Sequence, residues 1–348
     1  MATIRDVAER ARVSVATVSA VFNENKYVSP ELAGRVRESI ATLHYRPNGL
    51  ARSLKQQRAH ILGLILSDIT NPFFTTLVRA VEDTARSAGY TLLLGNTDEN
   101  AAKEEAYVEL LHSRQVDGLI LVASAGEHAY LPALLEAGLP VVCVDRSLAS
   151  LGADSVLTDN VAGAYQAVSH LIALGHRRIG IVTGLPGVTS THQRLDGYRQ
   201  ALTEHGIAAD PAFVREGDSR IEGGAARAAE LLALPDRPTA LFVTNNLMTI
   251  GAMRAIEDAG LRCPDDVALV GFDDFEWASV FRPRLTTVRQ PVYEIGKVAA
   301  RLLIQRIERK RTGEAAEILL PPTLIVRESC GEVAKPLAAR VGGETAAT

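Results

Sequence analysis

Polar and aromatic side chains that can hold a polyhydroxylated molecule recur where the apolar runs of this sequence end. Asp145 and Arg146 follow the run PVVCV, Asn245 closes ALFVT, and Asp273 closes VALVGF. A carboxylate accepts hydrogen bonds from two hydroxyl groups, a guanidinium donates to neighbouring oxygens, and a phenyl ring covers the C–H face of a sugar. The residues predicted to bind such a ligand are Asn71, Phe73, Phe74, Asp145, Arg146, Arg194, Asn245, Asp273 and Gln290.

Each of these residues also has a purely structural explanation. Asp145 and Arg146 can form an ordinary ion pair, and Asp273 can cap a loop. The joint pattern favours a binding site over these separate explanations. Weaker candidates occupy similar strand ends, namely Asp68, Asp98 and Asp159.

The elements that must position these side chains form two alternating series of strands and helices. Apolar runs such as ILGLIL, YTLLLGN, DGLILVA and PVVCVD alternate with predicted helices at 75–88, 101–113 and 128–137. A second series begins at RIGIVTG, with predicted helices near 192–205, 223–234 and 247–259. Short apolar runs between helices are typical of parallel strands buried on both faces. We therefore predict two doubly wound parallel-sheet lobes, with the ligand in the cleft at the carboxyl ends of their strands.

A last helix at 292–310 and strand stretches at 317–327 complete these lobes. The predicted ligand-binding domain is residues 59–330, with a first lobe of about 59–159 and 290–320 and a second of about 160–289 and 321–330. Residues 331–348 are rich in Ala, Gly and Glu, a composition that predicts disorder.

The first 46 residues predict three short helices. Thr3, with Asp6 three residues later, resembles a capping box, and Ser14 can cap a second helix. Ser29 followed by Pro30 starts a third helix. Three helices with a tight connection between the first two predict a helix-turn-helix domain at 1–46, followed by a linker at 47–58.

The second helix has small apolar residues, Val15 and Ala16, where its first turn meets water, while Val18, Val21 and Phe22 are its predicted buried stripe. Residues 1–58 contain ten Lys and Arg against five Asp and Glu, although the whole chain has a formal net charge of -4. A basic module on an acidic body favours a polyanion as the partner of that module.

Several classes of protein are disfavoured by what the sequence lacks. It has no signal-like start and no apolar run long enough to span a bilayer, and its three cysteines are scattered, which together predict a cytoplasmic protein. It has no G-x-G-x-x-G after the first strand, no P-loop, no G-x-S-x-G and no metal-spaced His/Cys cluster. We therefore expect neither an enzyme nor a bound metal or cofactor.

Three ordered motifs resemble the lactose-repressor (LacI) family of transcriptional regulators. They are TIRDVAERARVSVATVSAVFN, then KYVSPELAGRV, then YRPNGLARSLK, and the resemblance continues through the two lobes to cover residues 3–330. It implies that the second helix enters the major groove of DNA, where Val15 and Ala16 face base edges. The residues that it places at DNA are Thr3, Ser14, Val15, Ala16, Thr17, Ala20, Asn23, Asn48, Arg52, Leu54 and Lys55.

Two residues depart from the pattern of the family. Ala20 stands where many members carry an arginine that grips guanine, so we expect a half-site that is less demanding at that position. Arg12 stands in the inter-helix turn where glycine or asparagine is common, and it can require a left-handed backbone.

Residues 48–55 resemble the hinge helix of the family. In that interpretation Leu54 inserts between base pairs of the minor groove, while Arg52 and Lys55 serve nearby phosphates. A helix this short is unstable alone, so it should form only with its partner hinge and DNA present.

The resemblance implies a homodimeric repressor of sugar-utilisation genes that binds a pseudo-palindromic operator and is controlled by a sugar-like effector in the cleft. The binding residues resemble those of ribose receptors and sugar-responsive repressors. Alternatives are a phosphorylated sugar or a nucleobase acting as corepressor, and, from a different class, a sugar-binding receptor. Val188 falls where purine repressors carry arginine, which disfavours a purine. Arg146, Arg194 and His192 leave a phosphate open.

Overall fold

The computed structural model describes residues 2–23, 26–45 and 59–331. The chain forms two compact units, Met1–His60 and Ile61–Thr348. The first is the helical headpiece, and the second contains both sheets.

The headpiece has three helices, α1 (Ile4–Ala11), α2 (Val15–Asn23) and α3 (Pro30–Thr42). All three predicted caps are confirmed. Thr3 and Asp6 form a reciprocal capping box, the Ser14 hydroxyl accepts from the Thr17 amide at 3.1 Å, and the Ser29 hydroxyl accepts from the amide of Leu32 at 3.5 Å. The small core that these helices share consists of Val7, Ala8, Ala11, Val18 and Val36.

One prediction about the packing of α2 is wrong. Phe22 was predicted to be buried but is 43% exposed, because Val18 fills the core and Phe22, in the last turn of α2, does not pack on it. Ala20, which was predicted to lie at DNA, has 9% of its surface exposed in the headpiece, and its contact with DNA stays a prediction. Arg12 does adopt the left-handed backbone, with φ 51° and ψ 50°, at the end of α1.

The second unit alternates strands and helices, as predicted. Its strands are β1 (Ile61–Leu66), β2 (Thr91–Asn96), β3 (Gly118–Leu121), β4 (Val141–Val144), β5 (Asp154–Thr158), β6 (Ile179–Thr183), β7 (Val214–Glu216), β8 (Ala240–Val243), β9 (Ala268–Phe272), β10 (Thr286–Arg289), β11 (Glu317–Leu320) and β12 (Thr323–Ile325). Its α-helices are α4 (Pro72–Ser87), α5 (Ala101–Ser113), α6 (Leu131–Glu136), α7 (Asn160–Ala173), α8 (Thr189–Glu204), α9 (Ile221–Leu232), α10 (Asn246–Asp258) and α11 (Val292–Ile307).

The strands form two six-stranded sheets, one for each lobe. The first has the order β11-β5-β4-β3-β1-β2 and is parallel throughout. The second has the order β12-β10-β9-β8-β6-β7 and is parallel except for β12, which runs antiparallel to β10. The chain passes between the lobes three times, after β5, after β10 and after β11.

Cores on both faces of the sheets explain the apolar runs. Every residue of β3, β4, β8 and β9 is buried, as expected for parallel strands covered by helices on both sides. The strands at the sheet edges are less covered: Leu93 and Leu94 of β2 are 37% and 45% exposed, and Leu319 of β11 is 52% exposed. Three elements were not recognised in the sequence: strand β5, helix α7 and strand β10. Strand β5 has no continuous apolar run, because it contains the polar residues Asp154, Ser155 and Thr158.

Several helices begin earlier than the periodicity predicted, and capping explains the difference. Helix α4 begins at Pro72 because the Asn71 side chain accepts from the Phe73 amide at 2.9 Å and proline suits the first helical position. Helix α10 is capped in the same way by Asn245, whose side chain accepts from the amide of Met248 at 2.8 Å. The two capping residues, Asn71 and Asn245, are themselves predicted ligand-binding residues, and capping fixes them at the carboxyl ends of β1 and β8.

Candidate functional site

A cavity lies between the carboxyl ends of the strands of the two lobes. Eight of the nine residues predicted to bind a ligand line it: Asn71, Phe73, Phe74, Asp145, Arg146, Arg194, Asn245 and Asp273. They come from loops after β1, β4, β8 and β9 and from helices α4 and α8. The ninth, Gln290, does not line the cavity and acts from behind it.

Arg194, on α8, is buried and held in a fixed position. Its Nε donates to the Asn160 side-chain oxygen at 2.9 Å, and its Nη1 donates to the Thr244 carbonyl at 2.6 Å. Its guanidinium carbon lies 3.9 Å from the ring centroid of Phe272. This stacking and forked bonding fix the plane of the guanidinium.

Two carboxylates, one from each lobe, flank this guanidinium. Arg194 Nη2 lies 3.8 Å from Asp145 Oδ1, and Arg194 Nη1 lies 3.8 Å from Asp273 Oδ2. Both distances are too long for a direct hydrogen bond but are within ion-pair range. The acceptor oxygens are therefore available to hydroxyl groups of a ligand while the cation balances their charge.

The backbone at both aspartates is left-handed, with φ 67° at Asp145 and 71° at Asp273. Gln290 donates to Asp273 Oδ1 at 2.5 Å and accepts from the Thr158 hydroxyl. Burial raises the pKa of the Asp273 carboxyl above its ordinary value, against the opposing effects of Arg194 and Gln290. Gln290 thus orients a ligand-facing carboxylate from a crossing between the lobes.

Arg146 is committed to partners of its own lobe. It forms two bonds to the Glu99 carboxylate, at 2.8 and 2.5 Å, and donates to the Ala123 carbonyl at 2.5 Å. Its Nε lies 3.5 Å from Asp145 Oδ2 and, among the described residues, has no hydrogen-bond partner. Burial lowers the pKa of the Arg146 guanidinium, but the Glu99 hydrogen bonds and charge outweigh that effect and raise it.

The two lobes also touch directly beside the cavity. Asn246 at the start of α10 donates to the Asn71 side-chain oxygen at 2.9 Å, and Ser147 after β4 donates its amide to the Thr189 hydroxyl at 3.1 Å. The rings of Phe73 and Phe74 meet edge to face, with their centroids 5.0 Å apart. Polar contacts thus join the lobes at the rim, while two phenyl rings line one wall.

The cavity also includes residues outside the nine predicted to bind a ligand. Among them Glu99 could have been found, because it follows the run YTLLLGN closely, as Asp98 does. Asp159 instead caps α7, accepting from the Ala162 amide at 2.9 Å. The additional lining residues are Ser67, Asp68, Asp98, Glu99, Gly184, Val188, Ser190, Thr191, Asp218, Ser219, Arg220 and Thr244. Two of these, Asp68 and Asp98, were the weaker candidates.

A buried carboxylate lies in the first lobe behind this site. Glu104 on α5 is fully buried and accepts from the Ser124 amide at 2.5 Å and from the Tyr130 hydroxyl, with His128 Nδ1 at 2.9 Å. Burial raises the pKa of the Glu104 carboxyl, but these hydrogen bonds outweigh that effect and hold it below its ordinary value. Because Ser124 follows Ala123, this network fixes the loop whose carbonyl receives Arg146.

The headpiece presents a second candidate surface at the start of α2. Val15 is 41% exposed, Ala16 and Ser14 are exposed, and Thr17 is half-buried. Thr3 is exposed at the start of α1. Ala20 is set apart from this surface by its burial. Of Asn23, the structure fixes its place as the last residue of α2.

Five predicted features lie outside the described residues. They are Asn48, Arg52, Leu54 and Lys55 of the predicted hinge at 47–58, and the predicted tail beyond 331. In the parts of the chain that the structure describes, no helix has both the length and the apolar character needed to cross a membrane.

Two family models match the chain in the order of its two units. Residues 3–48 match the model described as bacterial regulatory proteins, lacI family, and residues 168–330 match that of a periplasmic binding protein-like domain. A helix-turn-helix headpiece joined to a two-lobed ligand-binding unit defines a DNA-binding regulator controlled by a small molecule.

Relatives and solved structures extend the match to nearly the whole chain. The repressor PurR of Photobacterium profundum is 36% identical over 335 residues, covering 94% of this chain and 98% of that protein. The ribose operon repressor of Halalkalibacterium halodurans is 39% identical over 331 residues, covering 94% and 97%. A structure of the Lac repressor dimer bound to operator and an anti-inducer is 29% identical, with TM-score 0.85, covering 95% and 99%. A LacI family regulator from Enterococcus faecium with bound ribose is 31% identical, with TM-score 0.70, covering 79% and 100%.

The chain belongs to the lacI family of bacterial regulatory proteins. It is a DNA-binding transcriptional repressor whose operator affinity is controlled by an effector bound in the two-lobed unit.

Proposed function

We propose that this repressor controls sugar-utilisation genes and that its effector is a small neutral sugar of the ribose type, which releases the protein from its operator. The observation that supports this most strongly is the Arg194 guanidinium between Asp145 and Asp273, at 3.8 Å from each carboxylate. Vicinal hydroxyls can donate to these carboxylates and accept from the guanidinium at once. The phenyl rings of Phe73 and Phe74 offer a surface for the C–H face of a sugar ring.

The charge of the cavity favours a neutral sugar over a phosphorylated one. Its lining includes six carboxylates against three guanidiniums, those of Arg146, Arg194 and Arg220. Arg146 is already neutralised by a two-bond pair with Glu99, and Arg194 is shared between two aspartates. A phosphate would meet an excess of negative charge, and His192, a possible phosphate partner from the sequence, does not line the cavity.

A purine fits this lining less well. Val188 is buried, and its apolar side chain lines the cavity. The family resemblance implies an arginine at this position in purine repressors. PurR and the ribose operon repressor are similarly identical to this chain, so the cavity residues, rather than overall identity, favour a sugar over a purine.

We propose that the cleft binds its ligand without transforming it.

We also propose that the chain acts as a homodimer on a pseudo-palindromic operator. One copy of α2 matches one half-site, and the related Lac repressor was solved as a dimer bound to operator. Val15 and Ala16 at the exposed start of α2 are suited to contact thymine methyl groups, while Thr3, Ser14, Thr17 and Asn23 position the helix on phosphates.

A ligand screen on the full chain tests the effector assignment. We expect ribose to raise the thermal unfolding midpoint, since a ligand at 100 times its Kd stabilises the native state by about 2.7 kcal/mol. Ribose 5-phosphate, glucose, hypoxanthine and guanine are the comparison ligands. Stabilisation by the nucleobases alone, or by the phosphorylated sugar in preference to ribose, would overturn the assignment.

A further inference from the structure

The recognition helix has no charged side chain of its own. Helix α2, with the sequence VATVSAVFN, contains no Lys, Arg, Asp or Glu. Neutralising phosphates supplies much of the affinity of proteins for DNA, so cations beside this helix must supply that part. The nearest in sequence are Arg12, three residues before α2 begins, and Lys26, three residues after it ends.

Arg12 adopts a backbone that arginine disfavours. Its φ of 51° and ψ of 50° lie in the left-handed region, where the backbone of a residue with a side chain is more strained than that of glycine. Arg35 of α3 stabilises the turn, donating to the Ala11 carbonyl at 2.5 Å and to the Arg12 carbonyl at 3.4 Å. The turn therefore does not need the Arg12 side chain, and glycine would form it with less strain.

The Arg12 side chain is also free to act. The residue is exposed, and within the described ranges its guanidinium has no ion-pair or hydrogen-bond partner. It lies two residues before Ser14, which caps α2, and three before the exposed Val15. An arginine in a strained backbone, with no contact inside the described protein, points to a contact outside it.

We propose that Arg12 neutralises an operator phosphate at the edge of the major groove beside the start of α2. This inference rests on the proposed mode of DNA binding, in which α2 enters that groove. Arg12 positions the helix through charge, without reading a base, and so supplies the cation that α2 lacks.

The test measures binding of the full chain, as a function of salt, to an operator selected from random DNA and to a random duplex of the same length. Arg12→Gly and Arg12→Asn remove the charge while suiting the left-handed backbone, and Arg12→Lys keeps the charge. His44→Gly is the matched control, because His44 also has a positive φ, of 45°, and its replacement removes no permanent charge.

We expect the glycine and asparagine variants to lose affinity for both duplexes by roughly tenfold per protomer at about 0.1 M salt, and the salt slope to fall by about 0.9 per protomer. The lysine variant and the His44 control should keep the slope, and no variant should unfold at a lower temperature. Unchanged slopes in the neutral variants, or a loss confined to the operator, would overturn the phosphate contact. A wild-type chain that selects no sequence would instead refute the proposed function.

Discussion

Arg194 and Asp145 meet across the cleft from different lobes, with Arg194 Nη2 3.8 Å from Asp145 Oδ1. Asp145 follows β4 of the first sheet, and Arg194 lies on α8 beside the second. A ligand hydroxyl placed between them bonds to both lobes at once, so ligand binding favours one arrangement of the lobes over others. In physical terms, this differential contact is what lets an effector shift an equilibrium between DNA-binding and released states.

Replacing Asp145 with asparagine should weaken effector binding. The substitution keeps the shape but removes an ionised acceptor, and hydrogen bonds to charged groups contribute about 1.5–3 kcal/mol each. We expect a roughly 10- to 100-fold rise in the Kd for ribose, measured by calorimetry, with DNA binding in the absence of sugar retained. Asp196→Asn, an exposed residue on the same helix as Arg194, is the control and should change neither. Equal effects of the two variants would remove Asp145 from the site.

The buried Asp273 predicts how stability depends on pH. Burial raises the pKa of this carboxyl in the folded protein, so its contribution to stability is fully present at low pH and is lost as the pH rises through the raised value. Asp273→Asn removes that dependence. The unfolding midpoint of the variant relative to wild type should therefore increase from acidic to neutral pH, as followed by calorimetry. A difference that is constant across this range would contradict the raised pKa.

The Glu104 network predicts a pH dependence of stability opposite in sign to that of Asp273. Its hydrogen bonds hold the pKa of the Glu104 carboxyl below the ordinary value, so the stability that it provides is present at neutral pH and is lost on acidification. Glu104→Gln should cost about 2 kcal/mol of unfolding free energy near pH 7, and less at acidic pH. The adjacent exposed Glu105→Gln is the control. A glutamine variant whose deficit grows on acidification would refute this account of the network.

Sequence patterns predicted the cleft better than they predicted its electrostatics. Asp145, Asn245 and Asp273 could be found because parallel strands place their carboxyl ends together. The pairing of Arg146 with Glu99 could not, since it depends on the left-handed loop at Glu99, which no local pattern specifies. The role of Gln290 behind Asp273 likewise depends on where the chain crosses between lobes.

The headpiece shows the same division. Cap residues such as Ser14 and Ser29 have local signatures, and both were predicted correctly. The burial of Ala20 and the exposure of Phe22 depend on how three helices pack, which helical periodicity alone did not resolve. Val15 and Ala16 are therefore the exposed apolar residues at the start of α2.

Shortening Val15 should change DNA preference without changing stability. Val15 is 41% exposed, so Val15→Ala removes little buried surface from the headpiece. In contact with a thymine methyl group, its lost carbons should cost about 1 kcal/mol at one base pair of each half-site. Selection from random DNA and thermal unfolding measure the two effects. Ala41→Ser, exposed on α3, is the control, and an unchanged base preference in Val15→Ala would place Val15 away from the bases.

The central claim is that a neutral sugar in the cleft controls operator affinity. The most direct measurement is the Kd of the full chain for its selected operator, followed by fluorescence anisotropy during titrations with ribose and with ribose 5-phosphate, hypoxanthine and guanine. We predict that saturating ribose raises this Kd by at least tenfold, that the other three compounds leave it unchanged, and that Asp145→Asn shifts the response to higher ribose concentrations. An operator affinity that ignores ribose and is strengthened by a nucleobase would contradict the account.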